Sequence, residues 1–119
     1  MQKVNIREKL DLFSDYWQPK IVGKLNGQLV KLAKFQGSFV WHRHEHEDEL
    51  FFVISGRFRM DFRDRSLWVE EGEFVIVPRG LDHRPVAEIE TAVLLFEPAG
   101  TLNTGDRMNA FTVADLDHL

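Results

Sequence analysis

Hydrophobic positions along the chain change their period once, near Pro19. Before it, Ile6, Leu10, Phe13 and Trp17 recur at intervals of four, three and four, which is one face of a helix, and Asn5 with Glu8 three residues on has the form of a capping box. The pattern predicts an amphipathic helix over about residues 5–17, packed on the rest of the fold or on a partner subunit. Its polar face carries both charge signs, which disfavours a membrane surface. After Pro19 the chain breaks into short segments bounded by turn residues, the mark of β-structure. Residues 21–25 and 28–35 flank Asn26-Gly27, a pair suited to a two-residue type I′ hairpin. The second arm is apolar at both parities, with Leu29, Ala33 and Phe35 on one and Val30 and Leu32 on the other. Burial on both faces in so short a chain suggests a subunit interface.

From Gly37 onward, strands are predicted over 39–44, 49–55, 57–63, 66–69, 74–77, 83–87 and 91–97. In the third of these, Phe58, Met60 and Phe62 alternate with Arg57, Arg59, Asp61 and Arg63, giving one apolar and one charged face. Nine or so short strands with no helix between them predict an all-β sandwich or barrel. The tail, 100–119, is polar at first, and Phe111, Val113 and Leu116 either lie over the barrel or stay loosely ordered.

Composition narrows the chemistry. The 119 residues suit one domain, 1–119. A net charge of -4, with no basic block, argues against nucleic acid as a partner. Without cysteine, a metal would have nitrogen and oxygen ligands only. The N-terminus lacks the apolar stretch of a secretory signal, and the longest apolar run, 50–54, cannot span a bilayer, so a soluble, cytoplasmic protein is expected.

Three of five histidines fall within Trp41-His42-Arg43-His44-Glu45-His46-Glu47-Asp48-Glu49. On a strand, His42 and His44 project from one face about 6.5–7 Å apart, close enough to share an ion. Glu49 lies at an odd offset from His44, so the chain must bend through 45–48 to bring Glu49, Phe51 and Val53 onto the inward face. A second element runs from Gly72 through Pro78-Arg79-Gly80 to His83; Pro78 stops the strand and Gly80 permits positive φ, which fixes the approach of His83 as a fourth ligand.

These spacings resemble the cupins. Their first motif is matched by Gly37, four residues, His42-Arg43-His44, four residues, Glu49, six residues and Gly56, one residue short after Gly37; their second is matched by Gly72, Pro78, Gly80 and His83, with Ala87 in place of the terminal Asn. The resemblance covers residues 37–97. It implies a double-stranded β-helix (jelly-roll) barrel with the short helix before it, a homodimer, and His42, His44, Glu49 and His83 as ligands of one divalent transition metal. The run from Trp41 to Phe51 is similar to a subgroup of small single-domain cupins often left without an assigned activity.

Other side chains have plainer readings. His46 is expected in the exposed bend and His118 in the solvated tail; Glu45, Glu47 and Asp48 read as a wet loop, and Glu70-Glu71 as turn surface. Trp41, Phe51 and Phe58 line a pocket or are plain core. Arg79 and Arg84, flanking His83, either bind a substrate anion or are ordinary surface arginines. Three imidazoles and a carboxylate favour Mn, Fe, Co, Ni, Cu or Zn over Ca or Mg. With six-coordination, two positions stay open for a small-molecule substrate. The family resemblance then suggests a metalloenzyme acting on a small oxygen-bearing substrate, as a dioxygenase, isomerase or polyketide-cyclase-like protein, in which Glu49 could leave the metal to serve as a base. The alternatives are a non-catalytic module binding a sugar-like ligand, and a metal that only stiffens the barrel.

Overall fold

The computed structural model describes residues 1–107 and 109–119. One helix, α1 (Ile6–Leu10), precedes seven strands: β1 (Lys20–Leu25), β2 (Gln28–Ser38), β3 (Glu49–Ser55), β4 (Arg57–Phe62), β5 (Ser66–Glu70), β6 (Phe74–Val77) and β7 (His83–Pro98). The all-β expectation holds, and so does the hairpin. Asn26 and Gly27 adopt φ of 49° and 77°, the left-handed pair that a type I′ turn needs between β1 and β2.

The strands form one wrapped sheet. Along one side the order is β1-β2-β7-β3-β6, and β4 joins the first half of β7 while carrying β5 on its other edge. All pairings between these strands are antiparallel, and an isolated parallel bridge joins Ile21 to His118. The segments expected separately at 83–87 and 91–97 are one strand of 16 residues. Its first half lies against β4 and the end of β2, its second half between β2 and β3, so the single strand turns the corner from one side of the barrel to the other. The strand expected at 39–44 is absent; only His42 makes a ladder contact, an isolated bridge to His83.

Alternation within strands separates core from surface. Phe35, Phe51, Val53, Phe58, Met60, Val93 and Leu95 point inward and are buried together. The helix is shorter than its hydrophobic spacing predicts. Asn5 caps it through a bond from the Glu8 N–H, but it ends at Leu10 because β2 claims the next backbone groups. Lys34 Nζ donates to the Phe13 carbonyl at 2.6 Å, and the Trp17 N–H donates to the Lys34 carbonyl at 2.9 Å. Released from the helix, Trp17 enters the barrel, stacked on Phe35 and Phe39 with ring centroids 4.3 and 4.7 Å away. Leu10 and Phe13 instead cover Leu32 and Ala92 from outside. The second apolar face of β2 is therefore covered, in part, by this chain's own N-terminal segment. Among the described residues no helix is long and apolar enough to cross a membrane.

Candidate metal centre

The ligand end of the barrel is built from a loop, the first residue of β3 and the first residue of β7. His42 and His83 exchange two backbone bonds, N–H to carbonyl, at 3.1 and 2.9 Å. The His44 carbonyl accepts from the Gly80 N–H at 2.7 Å, so the Pro78-Arg79-Gly80 turn props the loop from the other side. The bend expected at 45–48 is present and returns the chain so that Glu49 opens β3 facing inward. The tail supplies a third support. Asp106 accepts the Arg43 N–H through Oδ1 at 2.9 Å and donates its own N–H to the Arg43 carbonyl at 3.0 Å. Gly105 packs so closely that a Cβ there would overlap the Arg43 carbonyl and lie 3.1 Å from the His42 ring, leaving room for no other residue.

His42, His44, Glu49 and His83 are all buried, and one potential ligand atom from each lies within 4.8 Å of every other. The sequence named these four, and the structure brings them together. His42 and His83 each use Nδ1 to donate to a carbonyl two residues earlier, Val40 and Leu81, both at 2.9 Å. That fixes the tautomer and leaves the Nε2 lone pairs directed inward. Glu49 Oε1 lies 3.1 Å from His44 Nε2 and 3.9 Å from His83 Nε2. Both His44 nitrogens, His83 Nε2 and Glu49 Oε1 are buried with no hydrogen-bond partner. Orphaned polar atoms of this kind are costly unless something else satisfies them, and a cation would satisfy one nitrogen of His44 together with His83 Nε2 and Glu49 Oε1. The donor set fits a divalent transition ion.

Electrostatics keep the imidazoles in the state a metal needs. Burial lowers His42 to about 4, against the Val40 bond that favours its charge. Burial and the neighbouring His42 lower His83 to about 3, and burial also lowers His44. All three are neutral at physiological pH and free to ligate. Glu49 is raised, chiefly by burial, with a bond to Glu97 and the Lys31 charge opposing.

Two features were missed in the sequence. Lys31 and Glu97, 1% and 2% exposed, form an ion pair of 2.7 Å beside Glu49. Trp17 lines the adjoining cavity at φ 61°, an unusual backbone for a bulky residue. A signal for the pair existed: Lys31 shares its parity with Leu29, Ala33 and Phe35, a lone charge on an apolar face. The cavity, about 30 Å³, is bounded by Trp17, Phe35, Phe39, Phe51, Glu49 and Glu97, with His42 at one wall and Asn103 of the tail closing it. Phe51 thus lines the pocket, while Phe58 is plain core.

The remaining candidates lie outside. His46 and His118 are exposed and do not join the cluster. Arg79 pairs with Asp48 and Arg84 with Asp61, so both guanidinium groups are engaged. Trp41 sits on the surface with Arg63 3.9 Å and Arg84 5.0 Å from its ring centre. The Phe111 ring meets Phe39 at 5.4 Å, so this part of the tail lies over the barrel mouth.

Comparison with known proteins agrees with the fold. A cupin-2 domain containing protein from Shewanella frigidimarina NCIMB 400 superposes with a TM-score of 0.79 at 36% identity, over 80% of this chain and 93% of that one. Protein NMB1881 from Neisseria meningitidis gives 0.76 at 32% identity, over 82% and 100%. The uncharacterized protein YdbB of Bacillus subtilis (strain 168) is 34% identical over 77 residues, 64% of this chain and 68% of its own length. Residues 28–97 match the cupin domain family, and with them the greater part of this barrel: the chain belongs to the cupins.

Proposed function

We propose that this cupin binds one divalent transition metal through His42, His44, Glu49 and His83 and acts as a metal-dependent enzyme on a small oxygen-bearing substrate, in the manner of a dioxygenase, isomerase or polyketide cyclase. The observation that carries the reading is the set of unpartnered, buried donor atoms converging beside a cavity. An ion held there supplies Lewis acidity, and electron transfer if it is redox-active. The chain's residues do the rest: the Val40 and Leu81 carbonyls orient two imidazoles, and Trp17, Phe35, Phe39 and Phe51 give the adjoining cavity an aromatic wall. A cavity of 30 Å³ admits a molecule the size of water or dioxygen; a larger substrate requires the tail around Asn103 to move. The narrowness of that cavity favours a second reading, in which the ion stiffens the barrel and no substrate enters.

Elemental analysis of untagged protein from metal-replete cells tests the centre, with about one equivalent expected. Near-zero metal would sink it. Incubation of the loaded protein with diketones, catechols and sugar phosphates then separates the readings: turnover supports the enzyme, unchanged ligand that raises Tm supports a binding module, and no response supports the stiffening role.

The partner proposed besides substrate is a second copy of the chain, in a cytoplasmic setting. Across the outer face of the sheet, Val30, Phe96, Leu50 and Ile76 align in one row and Leu32, Leu94, Phe52 and Phe74 in the next. The N-terminal segment covers the β2 end of these rows, whereas Phe74 and Ile76, 59% and 54% exposed on the edge strand β6, remain open. An apolar edge of this kind invites an isologous pairing. Sedimentation of a Phe74→Glu variant should show a monomer where the parent is a dimer; a monomeric parent refutes the pairing.

A further inference from the structure

We propose that Lys31 and Glu97 form a buried brace that fixes the carboxylate of Glu49 for the ion; this rests on the metal centre proposed above. The three residues stand on adjacent strands, Lys31 on β2, Glu97 on β7 and Glu49 on β3, all inward-facing and all buried. Lys31 Nζ donates to Glu97 Oε1 at 2.7 Å, and its other acceptor is the Thr101 carbonyl at 3.5 Å. The register of β3 on β7, with Leu50 opposite Phe96, sets Glu97 beside Glu49, and both side chains line the same cavity, where Glu97 Oε2 has no hydrogen-bond partner among the described residues.

Stability alone does not account for such a pair. Two desolvated charges lose more hydration than a well-packed apolar pair of equal volume would, so their retention in the core calls for a role in specificity or function. Position supplies one. Glu49 is the only carboxylate among the four, and, unlike His42 and His83, it has no backbone group holding its side chain. Its long side chain has several rotamers, and the neighbouring Glu97 restricts them to the one that keeps Oε1 against the His44 and His83 nitrogens. Lys31 in turn holds Glu97 in place and offsets the added negative charge. Lys31 and Glu97 are positioning residues: Glu97 stands beside Glu49 and Lys31 acts through Glu97.

The test uses Co²⁺ as the probe, with affinity measured by competition against a chromophoric chelator and geometry read from the visible d–d bands. The double variant K31M/E97M removes both charges together, so that neither is left buried alone. The brace predicts a folded protein whose Tm stays close to the parent's, whose Co²⁺ affinity falls 10- to 100-fold, and whose bands shift. Parental affinity with unchanged bands would overturn the brace and leave the pair a structural element. Should K31M/E97M fail to fold, E97D keeps the charge and shortens the arm by one methylene. Shifted bands in E97D support the brace, and unchanged bands overturn it. If the parent itself binds no Co²⁺ or any other divalent ion, the metal centre fails and the brace with it, an outcome distinct from loss of the brace alone.

Discussion

The barrel contains two buried polar clusters that differ in one respect. Around Asp61, which is 5% exposed, Arg59, Arg84 and the Ser66 hydroxyl donate to both carboxylate oxygens. Burial pushes its pKa up, but those bonds prevail and hold it down at about 2. Around His42, His44, Glu49 and His83 the opposite holds: the buried atoms that face one another find no partner, and burial shifts every group toward its neutral form. The first cluster is complete as folded. The second keeps unpaired polar atoms as folded, and this separates it from a structural polar network more sharply than charge or burial does.

The contrast can be broken experimentally. The largest effect is expected from His83→Ala, which should take bound metal from about one equivalent to near none by elemental analysis; retention of a full equivalent would remove His83 from the centre. Next comes acid. The histidines have folded pKa values below the unfolded value of about 6.5, so they contribute stability above that pH and lose it as pH falls toward about 4 for His42 and 3 for His83. Glu49 and Glu97, raised by burial, work in the opposite sense and gain as pH falls. Urea denaturation of the metal-free parent and of a His42→Gln variant between pH 7 and 4 isolates the histidine effect: the parent should lose stability more steeply as pH falls, and parallel profiles would count against a neutral, buried His42. Asp61 has its effect only below about pH 4, where its contribution is lost as pH falls toward 2. Asp61→Asn should cost about 1–3 kcal/mol by the same assay while leaving metal content unchanged. The smallest effect belongs to His46→Ala, which should alter neither metal content nor stability beyond about 0.5 kcal/mol. A loss of metal there would redraw the cluster.

The clustering of His42, His44, Glu49 and His83 was legible in the sequence because its constraints are local: a His-x-His pair, a polar bend, and a Pro-x-Gly turn before His83. The hairpin was legible for the same reason, since Asn26-Gly27 carries its own backbone preference. Where long-range contacts decide, the pattern misled. The spacing through Phe13 and Trp17 suits a helix, but β2 captured their backbone groups and drew Trp17 into the core. The stretch 39–44 has strand-like residues, yet it lacks a continuous partner and forms only the His42 bridge. Residues 88–90 were left between two expected strands, whereas one strand runs through them with all three exposed. The Lys31–Glu97 pair spans 66 residues of sequence, and only the register of β2 against β7 brings it together.

The long strand β7 has a consequence for the order of events in synthesis. It supplies partners to β2, β3 and β4, and its first residue is His83. At roughly 5–20 residues per second, the apolar faces of β2 and β3 wait some seconds on the ribosome for the strand that will cover them, an interval in which a nascent chain is open to misassembly. His42, His44 and Glu49 emerge before any scaffold exists to aim them. The complete cluster of His42, His44, Glu49 and His83 is therefore a product of the final strand pairing, and its assembly marks a chain whose barrel has closed.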